Sequence, residues 1–157
     1  MRKTEQSSKS VLDAKDIKIL QTLLQDSKLS YRQIAKKLLI SVATVMHRVR
    51  RLEDAGIIRK YTVHLDYDKL GYDLVAAIDV RVQKGRLFEV EKLIARHPNV
   101  QAVYDVTGSF DALVLTKFKN RRDLDSFVKK IQTYDFVERT ETRLVLNTIK
   151  EEFVEIL

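Results

Sequence analysis

Arg48, Arg50 and Arg51 share one short amphipathic stretch with Ala43, Thr44 and His47, a set suited to gripping a polyanion rather than to breaking bonds. A guanidinium donates twice to guanine, a threonine hydroxyl donates or accepts, and a small apolar alanine can touch a thymine methyl. Val42, Val45, Met46, Val49 and Leu52 recur at helical period through the same stretch and are expected to form its buried stripe. Ala43, Thr44, His47 and Arg51 then face away, towards base edges, with Arg48 and Arg50 on the flanks and better suited to phosphates. Just upstream, Tyr31, Ile34, Ala35 and Leu38 write a second stripe, and Leu39-Ile40-Ser41 breaks the two. Two short amphipathic helices meeting at a tight break are the pattern of a helix-turn-helix DNA reader. Ser30, Tyr31 and Arg32 would open the helix that crosses the phosphate backbone, where free N–H groups attract anions. Ser41, at the start of the basic helix, is counted with this DNA-facing set. A solvated basic face is the blander account of the same charges.

Charge supports the DNA reading by where it lies. The net charge is +7, yet residues 1–62 hold 14 Lys+Arg against 6 Asp+Glu, while the remainder holds 15 against 16. All the surplus therefore sits in the half that carries the two short helices, which marks that half as the one facing a polyanion. With no cysteine, disulfides, thiolate nucleophiles and cysteine-ligated zinc are absent, and stability must come from packing and association. No apolar run has the length of a membrane span, and the basic start is not followed by an apolar signal core, so a cytoplasmic protein without membrane partners is expected.

The elements that would position these residues follow from caps and periods. Residues 1–11 are polar and Ser/Lys-rich, a candidate flexible basic arm. A first helix is capped by Asp13, buries Ile17, Leu20, Leu23 and Leu24, and ends at Asp26-Ser27. Ser30 with Gln33 makes a capping box for the second helix, and Gly56 closes the third. This defines a DNA-binding domain over 12–62. From Ile57 the sequence alternates like a strand, either a wing or an exit from the domain, and 63–73 is a strand or linker with a turn at Asp66 to Tyr72. Residues 74–157 then order as strand, helix, strand, strand, helix, strand, the last expected over 138–148. The fold class is α+β: a (winged) helix-turn-helix domain joined to a ferredoxin-like βαββαβ sandwich. With both helices on one face of an antiparallel sheet, the other face is left open and apolar, which predicts a homodimer through the C-terminal half.

Three motifs at matching spacing resemble the Lrp/AsnC (leucine-responsive, feast/famine) family of transcriptional regulators. They are Leu12-Asp13-Ala14-Lys15-Asp16 with Ile19-Leu20, Ser41-Val42-Ala43-Thr44-Val45 through Glu53 and Gly56-Ile57-Ile58, and the loop Thr107-Gly108-Ser109-Phe110-Asp111. The resemblance spans nearly the whole chain. It implies double-stranded DNA as partner, dimers that can assemble to tetramers or octamers, and a free amino acid as effector at the GxxD loop. Family members commonly carry an acidic residue after the loop glycine, where this chain has Ser109.

On that resemblance, the backbone at Thr107, Gly108 and Ser109 would receive an effector carboxylate and Asp111 its α-ammonium, with Tyr104, Thr140 and Thr142 completing the pocket. The same loop is also the composition of an ordinary hairpin turn, and threonines suit strands. His64 and His97 have no ligand at a useful spacing and suit packing or surface. An enzyme is not expected, because no phosphate-cradling glycine loop, HExxH or GxSxG motif is present; nor is a cofactor or metal. An RNA-binding βαββαβ domain would need aromatics where residues 112–118 read ALVLTKF. An architectural DNA binder without an effector remains the rival within the same family.

Overall fold

A computed structural model of the chain describes residues 12–152 and 156; the expected arm over 1–11 lies outside them. Among the described residues, one compact unit takes 12–64 with 151, 152 and 156, and the other takes Leu65–Lys150. Ile156 thus groups with the helices rather than with the sheet: Gln21 donates its side-chain amide to the Ile156 carbonyl at 2.8 Å, and Ile156 packs on the helical core.

The helical unit is built from α1 (Ala14–Gln25), α2 (Tyr31–Leu38) and α3 (Val42–Asp54). Each begins at a side-chain cap. Asp13 accepts the N–H groups of Lys15 and Asp16 while the Asp16 carboxylate accepts that of Asp13; Ser30 and Gln33 do the same for α2; Ser41 caps α3. Such a cap contributes typically about 1 kcal/mol. Ile19, Leu20, Ile34, Ala35, Val45, Val49 and Leu52 form the core. The expected stripes are therefore right in period and wrong at their shoulders. Leu24 is exposed on α1, with Ile19 in the core instead, and Val42 and Met46 are 42% and 48% exposed on α3. At about 100° per residue those two lie some 50–90° round from the centre of the Val45, Val49, Leu52 arc.

The turn between α2 and α3 places Leu39 in left-handed backbone, φ 55° and ψ 44°, with its side chain 92% exposed. Leucine gains no packing there and bears a Cβ clash that glycine lacks. Leu39→Gly is expected to stabilise the unit by up to about 1 kcal/mol in chemical unfolding. A loss of stability would show that the turn is under no strain.

After α3, Ile57 and Ile58 both donate to the Leu52 carbonyl, and the Tyr61 hydroxyl donates to Glu53 at 2.8 Å. Partial desolvation of the hydroxyl end first, then Glu53, pushes Tyr61 up to about 12 although half of its surface stays in solvent. Residues 59–66 form neither helix nor strand, contrary to the strand-like alternation. A strand persists only in a ladder, and no described strand pairs with this segment, so Tyr61, Val63 and Leu65 stay exposed.

The second unit runs β1 (Leu74–Val82), α4 (Leu87–Ile94), β2 (Val100–Asp105), β3 (Ala112–Phe118), α5 (Arg121–Gln132) and β4 (Val137–Leu144). Its sheet has the order β2-β3-β1-β4, antiparallel throughout, the ferredoxin-like arrangement. Alternate residues of the central strands, Ala76, Ile78, Val80 and Val82 with Ala112, Val114 and Phe118, meet Val90 and Ile94 of α4 and Leu124, Phe127 and Ile131 of α5. His97 packs here, its ring 4.4 Å from that of Phe127. β4 ends at Leu144 rather than running to residue 148, because its ladder with β1 ends at the pair Ala76–Leu144. The opposite sheet face is mixed rather than apolar. Val75, Ala77, Leu113, Leu115 and Tyr104 alternate there with Asp79, Arg81, Arg139, Glu141 and Arg143, and Asp79 is held by Arg143. No described helix is long and apolar enough to cross a membrane.

Candidate DNA-binding and effector sites

The two acids that open α1 and two of the three arginines of α3 form one cluster. Asp16 is fully buried, and its carboxylate holds Arg48 at 2.9 Å through Oδ1 and Arg51 through Oδ2. Asp13 takes Arg48 as well, at 2.6 and 2.7 Å. The Arg48 guanidinium holds the Asp13 carboxyl down at about 2, helped by the Asp16 N–H, and both acids raise Arg48. A depressed carboxylate stabilises the fold above the ordinary carboxylate range and loses that contribution as pH falls through about 2. Arg51, expected at base edges, and Arg48, expected at phosphates, are both turned towards α1 in this structure and brace α3. The sequence carries a signal for this, since the acids and the arginines are each spaced i,i+3, on matching faces of two helices.

Hydrogen bonding also employs part of the remaining set. The Ser30 hydroxyl donates to Gln33 at 2.7 Å, and the Ser41 hydroxyl accepts the Thr44 N–H at 3.0 Å and pairs with the Thr44 hydroxyl at 2.8 Å. Thr44, expected at base edges, is thus a half-buried capping partner. Tyr31, Arg32, Ala43, His47 and Arg50 stay exposed, and the cations Arg32 and Arg50 meet no acid among the described residues. The arc of α3 left open is the one centred on Ala43 and Arg50, so Arg50 lies at the middle of the exposed face and not on the flank where it was expected.

The loop between β2 and β3 is a closed hairpin end. Val106 donates to the Asp111 carbonyl and Asp111 to that of Val80, both at 3.0 Å. Gly108 takes φ 120°, a conformation side chains rarely adopt. Oδ2 of Asp111 accepts the Val82 N–H at 2.9 Å and faces Nε of Arg81 at 3.5 Å, while Arg81 donates to the Ser109 carbonyl at 3.2 Å. One carboxylate oxygen of Asp111 is thus an anchor of the loop, a role that the sequence does not reveal. Thr107, Gly108 and Ser109 are exposed beside it.

The other three expected effector residues are not gathered in one chain. Tyr104 pairs with Leu113 on edge strand β2 and shares the open face with Asp79. Thr140 and Thr142 pair with Val80 and Ile78 on the opposite edge strand and on the helix side, where Gln132 donates to the Thr140 hydroxyl at 2.8 Å. Three strand spacings, about 14 Å, and the sheet itself separate them.

Residues 75–154 match the family model described as the Lrp/AsnC ligand binding domain, and residues 12–59 match the one described as a winged helix-turn-helix DNA-binding domain. The chain belongs to the Lrp/AsnC family. An uncharacterised HTH-type transcriptional regulator of Pyrococcus horikoshii is 48% identical to it, over 90% of this chain and 96% of the relative. The HTH-type transcriptional regulator FL11 of the same organism is 37% identical over 89% and 93%. E. coli AsnC shares the fold, with a TM-score of 0.85 at 24% identity over 93% of this chain and 99% of that one. A transcriptional regulator of Neisseria meningitidis, solved as a complex with L-Met, gives 0.84 at 28% identity over 93% and 96%. This Lrp/AsnC member is therefore a transcriptional regulator with a DNA-binding helix-turn-helix domain and a family ligand-binding domain. In it, the clamp (Arg48, Arg51), the caps (Ser30, Ser41, Thr44) and the loop anchor (Asp111) employ six of the residues expected to face DNA or an effector.

Proposed function

We propose that this regulator binds double-stranded DNA in a sequence-specific way, as a homodimer that can assemble further in the cytoplasm, and that a free amino acid modulates its binding or assembly. The observation that carries the DNA part is the open arc of α3: Ala43, His47 and Arg50 are exposed while the opposite flank is tied to α1. Ala43, His47 and Arg50 take base edges, and Tyr31 and Arg32 take phosphates at the start of α2. Dimerisation is supported by the unpaired alternation at Tyr61, Val63 and Leu65 and by the half-apolar open sheet face, each of which a second copy would cover.

The effector part is supported by the ligand-binding domain and by the L-Met complex of the Neisseria relative. The loop backbone at Thr107, Gly108 and Ser109 would meet the effector carboxylate, and Oδ1 of Asp111 its ammonium. Tyr104, Thr140 and Thr142 join only if neighbouring copies contribute them, which fits a pocket between protomers. Thermal unfolding against each free amino acid tests this, because a ligand at about 100 times its dissociation constant adds about 2.7 kcal/mol to the state it binds. One responder is expected, and Asp111→Ala should abolish the response while leaving DNA affinity in place. Without any responder, and with extended uniform protection of DNA in place of short phased half-sites, an effector-independent architectural role would replace this reading.

A further inference from the structure

Val42 and Met46 belong by period to the stripe that ought to be buried, yet each is close to half exposed. They are i,i+4 neighbours on α3 and lie on one shoulder of it, next to Ala43. The other shoulder is taken: Arg48 and Arg51 are drawn to Asp13 and Asp16. In the first two turns of α3, the residues that neither the core, nor the cap that holds Thr44, nor the clamp claims are Val42, Ala43, Met46 and His47. Three of these four are apolar, on a helix whose outward face also carries Arg50 and which belongs to a DNA-binding domain.

We propose that Met46, with Val42 beside it, contacts the 5-methyl group of thymine in the major groove, which makes Met46 a specificity residue. The inference rests on the reading of α3 as the base-reading helix. Thymine carries the one apolar group that a base pair presents in that groove. An unbranched thioether side chain can bend to meet it, and its polarisable sulfur favours the contact. The occupant follows from continuity, since Met46 lies on the same exposed arc as Ala43 and Arg50, within one helical turn of both. A second copy or another protein seated on this shoulder would leave the affinity for DNA insensitive to a base methyl.

The test begins with duplexes selected from a random pool by the full-length protein. Each thymine of the selected site is then replaced by deoxyuridine, which removes the methyl group alone. At one or more positions the wild-type affinity is expected to fall about 4-fold, the effect of one methyl group returned to water. At that position Met46→Ala should be indifferent to the replacement, with the salt dependence and melting temperature of the wild type, and Met46→Leu should restore the preference. Uracil tolerated everywhere, or equal losses in wild type and Met46→Ala, would overturn the inference alone. A protein that binds DNA but enriches no sequence would overturn the base-reading role of α3, and this inference with it.

Discussion

Asp16→Ala is expected to destabilise the helical unit by about 3 kcal/mol, the low end of the range for removing one partner of a buried ion pair. The carboxylate is fully buried and holds two guanidinium groups, so its loss leaves both without their shared acceptor. The low end applies because the Arg51 side chain is 46% exposed and recovers water, and because Arg48 keeps Asp13. Asp16 also accepts the Asp13 N–H, so the same substitution opens the capping box of α1. Asp16→Asn, which keeps the shape and an acceptor, should fall between. Urea unfolding followed by helical signal checks both. A loss below about 1 kcal/mol would mean that the cluster behaves as a surface pair, worth little.

The second large effect falls on binding. Arg50→Ala should cost about 1–3 kcal/mol on the selected site and relax preference at one base position, because Arg50 is the one arginine of α3 without a carboxylate partner among the described residues. Its removal should leave stability nearly unchanged, as expected for an exposed position without packing. Titrations on selected and random duplexes at several salt concentrations distinguish the outcomes. An equal loss on both, with a salt slope shallower by about one, would assign Arg50 to a phosphate instead. Arg48→Ala should differ in kind, losing stability before affinity, since its guanidinium is spent inside the protein.

These two expectations diverge from what a helical wheel implies, and the reason is specific. A wheel ranks residues by angle from an apolar stripe and treats every charged side chain off that stripe as free. It contains no information about the element packed alongside. Arg48 and Arg51 lie at angles that α1 reaches, and α1 brings Asp13 and Asp16 there. Met46 lies at an angle that the core does not reach, so an apolar residue stays in solvent. Asp111 shows the same limit in the other unit. Its place after Gly108 marks a turn, but the Val82 N–H and Arg81 that occupy its carboxylate come from a strand some 30 residues away, brought in by the sheet.

Local chemistry by itself determined the starts of α1, α2 and α3, because Asp13, Ser30 and Ser41 satisfy N–H groups within three residues of themselves. It also determined the βαββαβ order, because alternation and the 3.6-residue period register which face of each element is apolar. The lopsided charge and the three spaced motifs pointed to a DNA-binding Lrp/AsnC regulator, which the family models bear out. Only the tertiary structure decided which outward side chains remain available to a partner. That depends on contacts between residues 30 or more positions apart: the clamp that ties Arg48 and Arg51 to α1, and the sheet that sets Tyr104 and Thr140 on opposite faces. Such contacts are fixed by the packing of whole elements, and no window of sequence contains both partners.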